Sequence, residues 1–192
     1  MHISITGKLG SGKSTVCHLI EKEYGFEIFS TGSIQREAAR QKGVSTLELN
    51  RMMQNDCSLD YIIDDTVNRL SRERKEDKLI FDSRMAWHFA QESFKVFLNV
   101  DPLIAAERVM ANPRGCEECY ASVEEACEKL VERSRVENAR FSEIYGLDYF
   151  DLDHYDLVVD SSHRTPQEIV ELIMQNYSIF CADPVEFGRR RL

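Results

Sequence analysis

Gly7, Gly12, Lys13 and Ser14 fall at the spacing G-x-x-x-x-G-K-[ST] within GKLGSGKST (7–15). Each residue type there has a task at a chain of phosphates. Glycines at 7, 10 and 12 let the backbone wrap closely enough for successive N–H groups to point at a β-phosphate, and a helix start adds its positive dipole end. Lys13 is then set to bridge the β- and γ-phosphates, and the Ser14 hydroxyl to complete a magnesium shell. Gly7, Gly10, Ser11, Gly12, Lys13, Ser14 and Thr15 are therefore the expected nucleotide-binding set, with ATP and Mg²⁺ as the ligands. The motif is silent on what receives a phosphate.

Asp82 ends the apolar run LIFD (79–82), at a strand's C-terminal end, where ligands collect in open α/β sheets. It is the expected second magnesium partner; capping of the turn from Ser83 onward is the competing use. Arg36 in FSTGSIQREAA (29–39) and Arg84 in FDSRMAWHF (81–89) each stand just past a strand end. Two converging guanidinium forks suit a phosphate monoester; a monoanionic metabolite does not need them. The alternatives are a surface ion pair of Arg36 with Glu37 and a solvated Arg84.

These side chains need elements to hold them. HISIT (2–6) reads as a strand running into the glycine loop, and KSTVCHLIEKEY as a helix with Val16, Leu19, Ile20 and Tyr24 on one face, closed by Gly25. FEIFS (26–30) alternates as a second strand. A helix from Ser33 to Lys42 ends at Gly43, and Ser45 with Glu48 forms a capping box for the next. Residues 60–74 carry Ile63, Val67 and Leu70 on one stripe. KLIFD (78–82), FKVFLNV (94–100) and YDLVVD (155–160) are further strands. Asp101-Pro102 starts a helix, Ser122 with Glu125 opens a long charged helix to about Gly146, and Thr165-Pro166 with Glu168 caps the last. Strands alternating with helices imply an α/β fold with a five-stranded parallel sheet.

The chain has 192 residues, 43% of them apolar, enough for one core, so a single domain over 1–192 is expected. A net charge of −9 argues against a broad nucleic-acid footprint. No stretch approaches the roughly 18 apolar residues of a membrane span. The first strand begins at Met1 without a secretory pattern, and the six cysteines are scattered like reduced thiols. A cytoplasmic protein acting on small-molecule nucleotides is the expectation.

STGSIQR (30–36) resembles the S-T/A-G-x-x-x-R segment of nucleoside monophosphate kinases, and ERSRVENARFSEIYGLDYFDLDHYDLVVDSS (132–162) resembles the end of short, archaeal-type cytidylate kinases. With the glycine loop and DSRMAWHF, the similarity spreads over about residues 1–175. It implies a three-layer P-loop NTPase fold with a helical acceptor-binding insert near 31–75 and a helical lid over about 111–146. It implies that Ser30, Gly32, Arg36 and Arg84 meet the acceptor's phosphate. Lys13, Arg84, Arg133 and Arg140 would act on the transferring phosphoryl, with Arg135 a further lid contact, and Arg108 would lie against the ATP base. The acceptor it implies is CMP or dCMP. Ser33 departs from the family pattern, which often has an acid there, and so does Ser83-Arg84, where a Gly-Arg pair is common.

Other readings of the same residues stay open at this level. Glu125–Lys129, Glu132–Arg135 and Glu137–Arg140 have the spacing of solvated ion pairs on a helix. Cys116-x-x-Cys119 with Cys127 and His154 hints at zinc, but a second close pair is missing. Trp87 and His88 read as packing and lining of the acceptor pocket. GRRRL (188–192) reads as a solvated tail. Asp60 or Asp64 could accept a hydrogen bond from cytosine's amino group or merely cap or solvate its helix. The rival functions are a P-loop kinase of another metabolite and a nucleotide-binding regulator without transfer.

Overall fold

β1 (His2–Gly7) is buried along its whole length because it lies between two other strands. In the computed structural model, which describes residues 1–113 and 120–189, five parallel strands run in the order β2-β3-β1-β4-β5. These are β2 (Glu27–Ser30), β3 (Leu79–Asp82), β4 (Ser93–Asn99) and β5 (Leu157–Asp160) beside β1. The chain goes from β1 outward to β2 on one side and later to β4 on the other. The loop after β1 therefore sits where the strand order switches direction, the place where open α/β sheets bind ligands. Register completes the arrangement, since Ile5 stands opposite Asp82 and Gly7 opposite Leu98.

Helices cover both faces, as parallel strands require. On one side α1 (Lys13–Tyr24) and α8 (Pro166–Ala182) bury Val16, Ile20, Ile169, Val170 and Ile173 against Ile3, Ile5, Phe94, Val96 and Leu98. Cys17, 1% exposed, joins Val16 and Ile20 in that face, while Tyr24, expected there, lies at the surface in the last turn. On the other side α5 (Ala86–Phe89) and α7 (Val123–Tyr145) pack Trp87 and Phe141 with Phe97, Tyr149 and Tyr155. Between β2 and β3 lie α2 (Thr31–Lys42), α3 (Thr46–Met53) and α4 (Ser58–Glu73). Expected caps are in place: Ser45 and Glu48 exchange their capping-box hydrogen bonds, as do Thr165 and Glu168. Asp101 caps α6 (Pro102–Ala111). A short α9 (Pro184–Arg189) ends the described chain, so most of the GRRRL tail falls outside it.

Two expectations need correcting. β5 begins two residues later than its sequence suggests, because the Asp156 carboxylate accepts from Lys95 N–H and Tyr155 turns inward, its hydroxyl donating to Tyr149 O at 2.6 Å. The three ion pairs that helical spacing left open along the long helix do not form. Glu125 instead accepts from Ala121 N–H before the helix, and Glu132 pairs with Arg51 of α3 and with Lys129. Glu137 takes Arg133 rather than Arg140.

Candidate active site

The loop from Gly7 to Gly12 is shaped by close backbone approaches. A Cβ on Gly7, whose φ is +152°, would lie 2.4 Å from Leu98 O, and one on Gly10 would lie 2.7 Å from Ala105 O. Gly12, with φ 85°, is the N-cap of α1 and supplies no side chain to cap it. The first-turn N–H groups of α1 thus face a ligand space without a protein carboxylate or hydroxyl upon them, which is the form of an anion site. The Ser11 hydroxyl is buried with no protein partner.

Lys13 Nζ donates to Gly7 O at 3.2 Å and to Lys8 O at 3.4 Å, so the amine is tied to the inside of the loop. Burial there, then the nearby Arg84 charge, push its pKa down to about 7. Asp82 is 7% exposed; Ser30 Oγ donates to its Oδ2 at 3.0 Å, and Thr31 Oγ1 to its carbonyl at 3.3 Å. The Ser14 hydroxyl and the Asp82 carboxylate are hard oxygen donors lining one cavity, a donor set that fits Mg²⁺.

That cavity, about 540 Å³, gathers most of the expected site. Gly10 to Thr15 form one wall. Gly32 and Arg36 of α2 and Arg84 after β3 form another, and Arg133 of α7 and Arg108 of α6 close it. Ser30 stands behind the wall, positioning Asp82. Arg108 is anchored by Nη2 to Ser161 O at 2.7 Å and to Ser162 O at 3.0 Å, which fixes its guanidinium on the turn after β5. Arg84 and Arg133 share the carboxylate of Glu137: Arg84 Nε donates to Oε2 at 2.9 Å and Arg133 Nε to Oε1 at 3.0 Å. Burial alone would raise that carboxyl, but the guanidiniums of Arg84, Arg133 and Arg140 overcome it and hold its pKa at about 2.

Arg140 is not brought to the cavity with the other arginines. It is 1% exposed, its Nη1 donating to Asn50 Oδ1 at 2.7 Å and its Nε in charge contact with Asp60 Oδ2 at 2.9 Å. The helical position that suggested a mobile lid arginine turns inward instead, onto α3 and α4. Asp60 and Asp64 both line the cavity floor. Tyr145 donates to Asp64 Oδ2 at 2.6 Å, and burial, opposed by that hydrogen bond, still pushes the Asp64 carboxyl up to about 7. Trp87 does not line the cavity; its ring stacks on His154 with centroids 4.1 Å apart. Among the described residues no group of His, Cys, Asp or Glu is set to hold a metal ion by itself, and Cys116 and Cys119 lie outside them.

Sequence reasoning missed the sharing of Glu137 by Arg84 and Arg133, the contact of Asn50 with Arg140 and that of Tyr145 with Asp64. The Arg133–Glu137 spacing of four residues was an available signal. Contacts to Arg84, Asn50 and Asp64 join distant segments and leave no local pattern.

A model of the cytidylate kinase-like family matches residues 2–163. Cytidylate kinase of Thermoplasma volcanium is 34% identical over 178 residues, covering 91% of this chain and 90% of the relative. Cytidylate kinase of Methanosarcina mazei is 32% identical over 176 residues, covering 90% and 94%. Among solved structures, shikimate kinase from Bacteroides thetaiotaomicron superposes with a TM-score of 0.61 at 13% identity, over 93% of this chain and 98% of that one. That likeness bears on the fold, which is P-loop NTPase-like. Among the described residues no helix is long and apolar enough to cross a membrane.

Proposed function

The chain belongs to the cytidylate kinase-like family and is a nucleoside monophosphate kinase, and from that premise we propose that it transfers the γ-phosphoryl group of ATP to CMP or dCMP. The observation that carries this reading is a single cavity lined both by the glycine loop with Lys13 and by three arginines from separate elements, Arg36, Arg84 and Arg133. A donor with a triphosphate and an acceptor with a monophosphate together need that much positive charge, in a protein whose net charge is −9.

The loop N–H groups and Lys13 bind the donor's phosphates. Arg36 and Arg84 hold the acceptor's phosphate with one oxygen turned toward the γ-phosphorus. That oxygen forms the new P–O bond as the bond to the β,γ-bridging oxygen breaks, leaving ADP and the nucleoside diphosphate. Phosphoryl transfer asks little acid–base work of the protein; alignment and stabilisation of spread negative charge dominate, and Arg133 serves the second together with Arg84, which reaches the transferring phosphoryl from the acceptor side. Arg108 flanks the donor's base. Ser14 and Asp82 would hold Mg²⁺, which when bound neutralises phosphate charge. Asp64 reads the acceptor's base when ionised, because the carboxylate accepts from cytosine's amino group and opposes the O4 oxygen of uracil.

The test is ADP release from MgATP with CMP, dCMP, UMP, AMP and GMP supplied singly. Turnover concentrated on CMP or dCMP, and lowered at least about a hundredfold in Arg84→Ala, supports the reading. Silence with all five, while MgATP still binds, sinks it and turns the search to other acceptors or to a regulatory role.

A further inference from the structure

Glu137 has no part in the transfer as set out above, yet it is among the most thoroughly engaged side chains in the site. Its side chain is 2% exposed, and a buried carboxylate persists only when neutralised. Arg84 reaches one of its oxygens from the end of β3, and Arg133 reaches the other from one turn earlier on α7, at 2.9 and 3.0 Å. Asn50 Nδ2 of α3 approaches Oε1 at 3.4 Å. Both arginines use Nε for this contact. The Nη nitrogens, with which a guanidinium forks onto phosphate oxygens, are not the ones given to Glu137.

Two cations converging on one cavity repel each other, and a shared anion behind them offsets that repulsion and fixes their separation. We infer that Glu137 is a positioning residue that sets the acceptor-side Arg84 and the α7 arginine Arg133 in one register, so that both meet the transferring phosphoryl together. The inference rests on the phosphate-binding roles proposed for those two arginines. A carboxylate standing in for the absent substrate phosphate would take the Nη forks. This one takes Nε from both and leaves the forks for substrate.

The experiment is steady-state kinetics with MgATP and the wild type's best acceptor, on wild type, Glu137→Gln, Arg133→Ala and the double variant. Gln keeps the shape but has one acceptor oxygen in place of two, so it cannot hold both guanidiniums. In Glu137→Gln kcat falls about thirtyfold or more, while KM for each substrate stays within about threefold, the pattern of a lost transition-state contact. In the Arg133→Ala background the same substitution costs at least about fivefold less, because one group it acts through is gone. A folded Glu137→Gln with kcat within about twofold of wild type overturns the inference, and so does a strictly multiplicative loss. A fall in acceptor KM with kcat maintained also overturns it, by marking Glu137 as a competitor of the substrate phosphate.

Should Glu137→Gln fail to fold, Glu137→Asp decides in the same assay. It keeps the charge but is one methylene short of spanning both Nε atoms, so kcat drops with KM held, and full activity overturns the inference. Wild-type silence with every monophosphate removes the underlying reading and this inference together. Wild-type turnover with an indifferent Glu137 variant removes the inference alone.

Discussion

Arg140 and Asp60 meet inside the protein, Nε 2.9 Å from Oδ2, with side chains only 1% and 3% exposed. Asn50 completes the cluster by accepting from Arg140 Nη1 through its side chain at 2.7 Å and its backbone carbonyl at 3.2 Å. One guanidinium thereby ties α7 to α3 and α4. Removing it leaves a buried carboxylate without its cation, a defect that costs about 3–5 kcal/mol. Arg140→Ala should therefore lower the thermal midpoint by on the order of 10 °C. Kinetics measured well below that midpoint separate this role from that of a phosphate-binding arginine. An unchanged midpoint with collapsed kcat would return Arg140 to the transfer chemistry.

Asp64 is held by Tyr145 at 2.6 Å on the cavity floor. Asn in its place keeps an acceptor oxygen for cytosine's amino group and adds a donor that suits the O4 of uracil. Asp64→Asn is expected to narrow the preference for CMP over UMP in kcat/KM by about tenfold or more, a change worth one good hydrogen bond. The pH dependence has a definite sign. The folded carboxyl titrates near 7 and the unfolded one near 3.8, so the folded state binds the proton more tightly. The stability this contributes is complete below about 4 and is lost as pH rises through 7. The midpoint of Asp64→Asn relative to wild type should rise between pH 5 and pH 8. A flat difference across that range would show that the carboxyl titrates normally.

The glycine loop was legible because its chemistry imposes a local spacing: phosphates need consecutive N–H groups, and only glycines at 7 and 10 clear Leu98 and Ala105. Asp82, Arg36 and Arg84 were legible because strand ends in a parallel sheet point at the ligand crevice. The long helix was misread for the opposite reason. Its regular acids and bases satisfy helical spacing, but the true partners come from α3, α4 and the end of β3, as with Arg51 for Glu132 and Asp60 for Arg140. The spacing of acids and bases along one helix does not reveal which of them turn inward to partners on other elements. Trp87 stands three residues from Arg84 in sequence yet packs on His154, because α5 turns it into the core behind the site.

Two glycines of the loop should respond differently to the same substitution. Gly7→Ala forces a Cβ to 2.4 Å from Leu98 O in the sheet, where neither β1 nor β4 can yield. Gly12→Ala meets nothing within 4 Å and pays only for a left-handed backbone, about 1–2 kcal/mol. Denaturant midpoints should fall much further for Gly7→Ala. Equal losses would mean that β1 and β4 can spread at that point.

Lys13 carries the last prediction. Its amine has a pKa of about 7 before a nucleotide arrives, lowered by burial and by Arg84. A polyphosphate beside it favours the charged form and raises that pKa, so above pH 7 binding must draw a proton from solution. At pH 8 the nucleotide's own phosphates are fully ionised and contribute no protons. Calorimetric titration of ATP in buffers of different ionisation enthalpy should show uptake of a substantial fraction of one proton at pH 8 and little at pH 6. Apparent affinity should weaken as pH rises from 7 to 9, by up to about tenfold per unit. Lys13→Met should abolish the uptake and, under the proposed reading that Lys13 binds the donor's phosphates, should also lower kcat by about a hundredfold or more. Uptake that persists in Lys13→Met would assign the proton to another group.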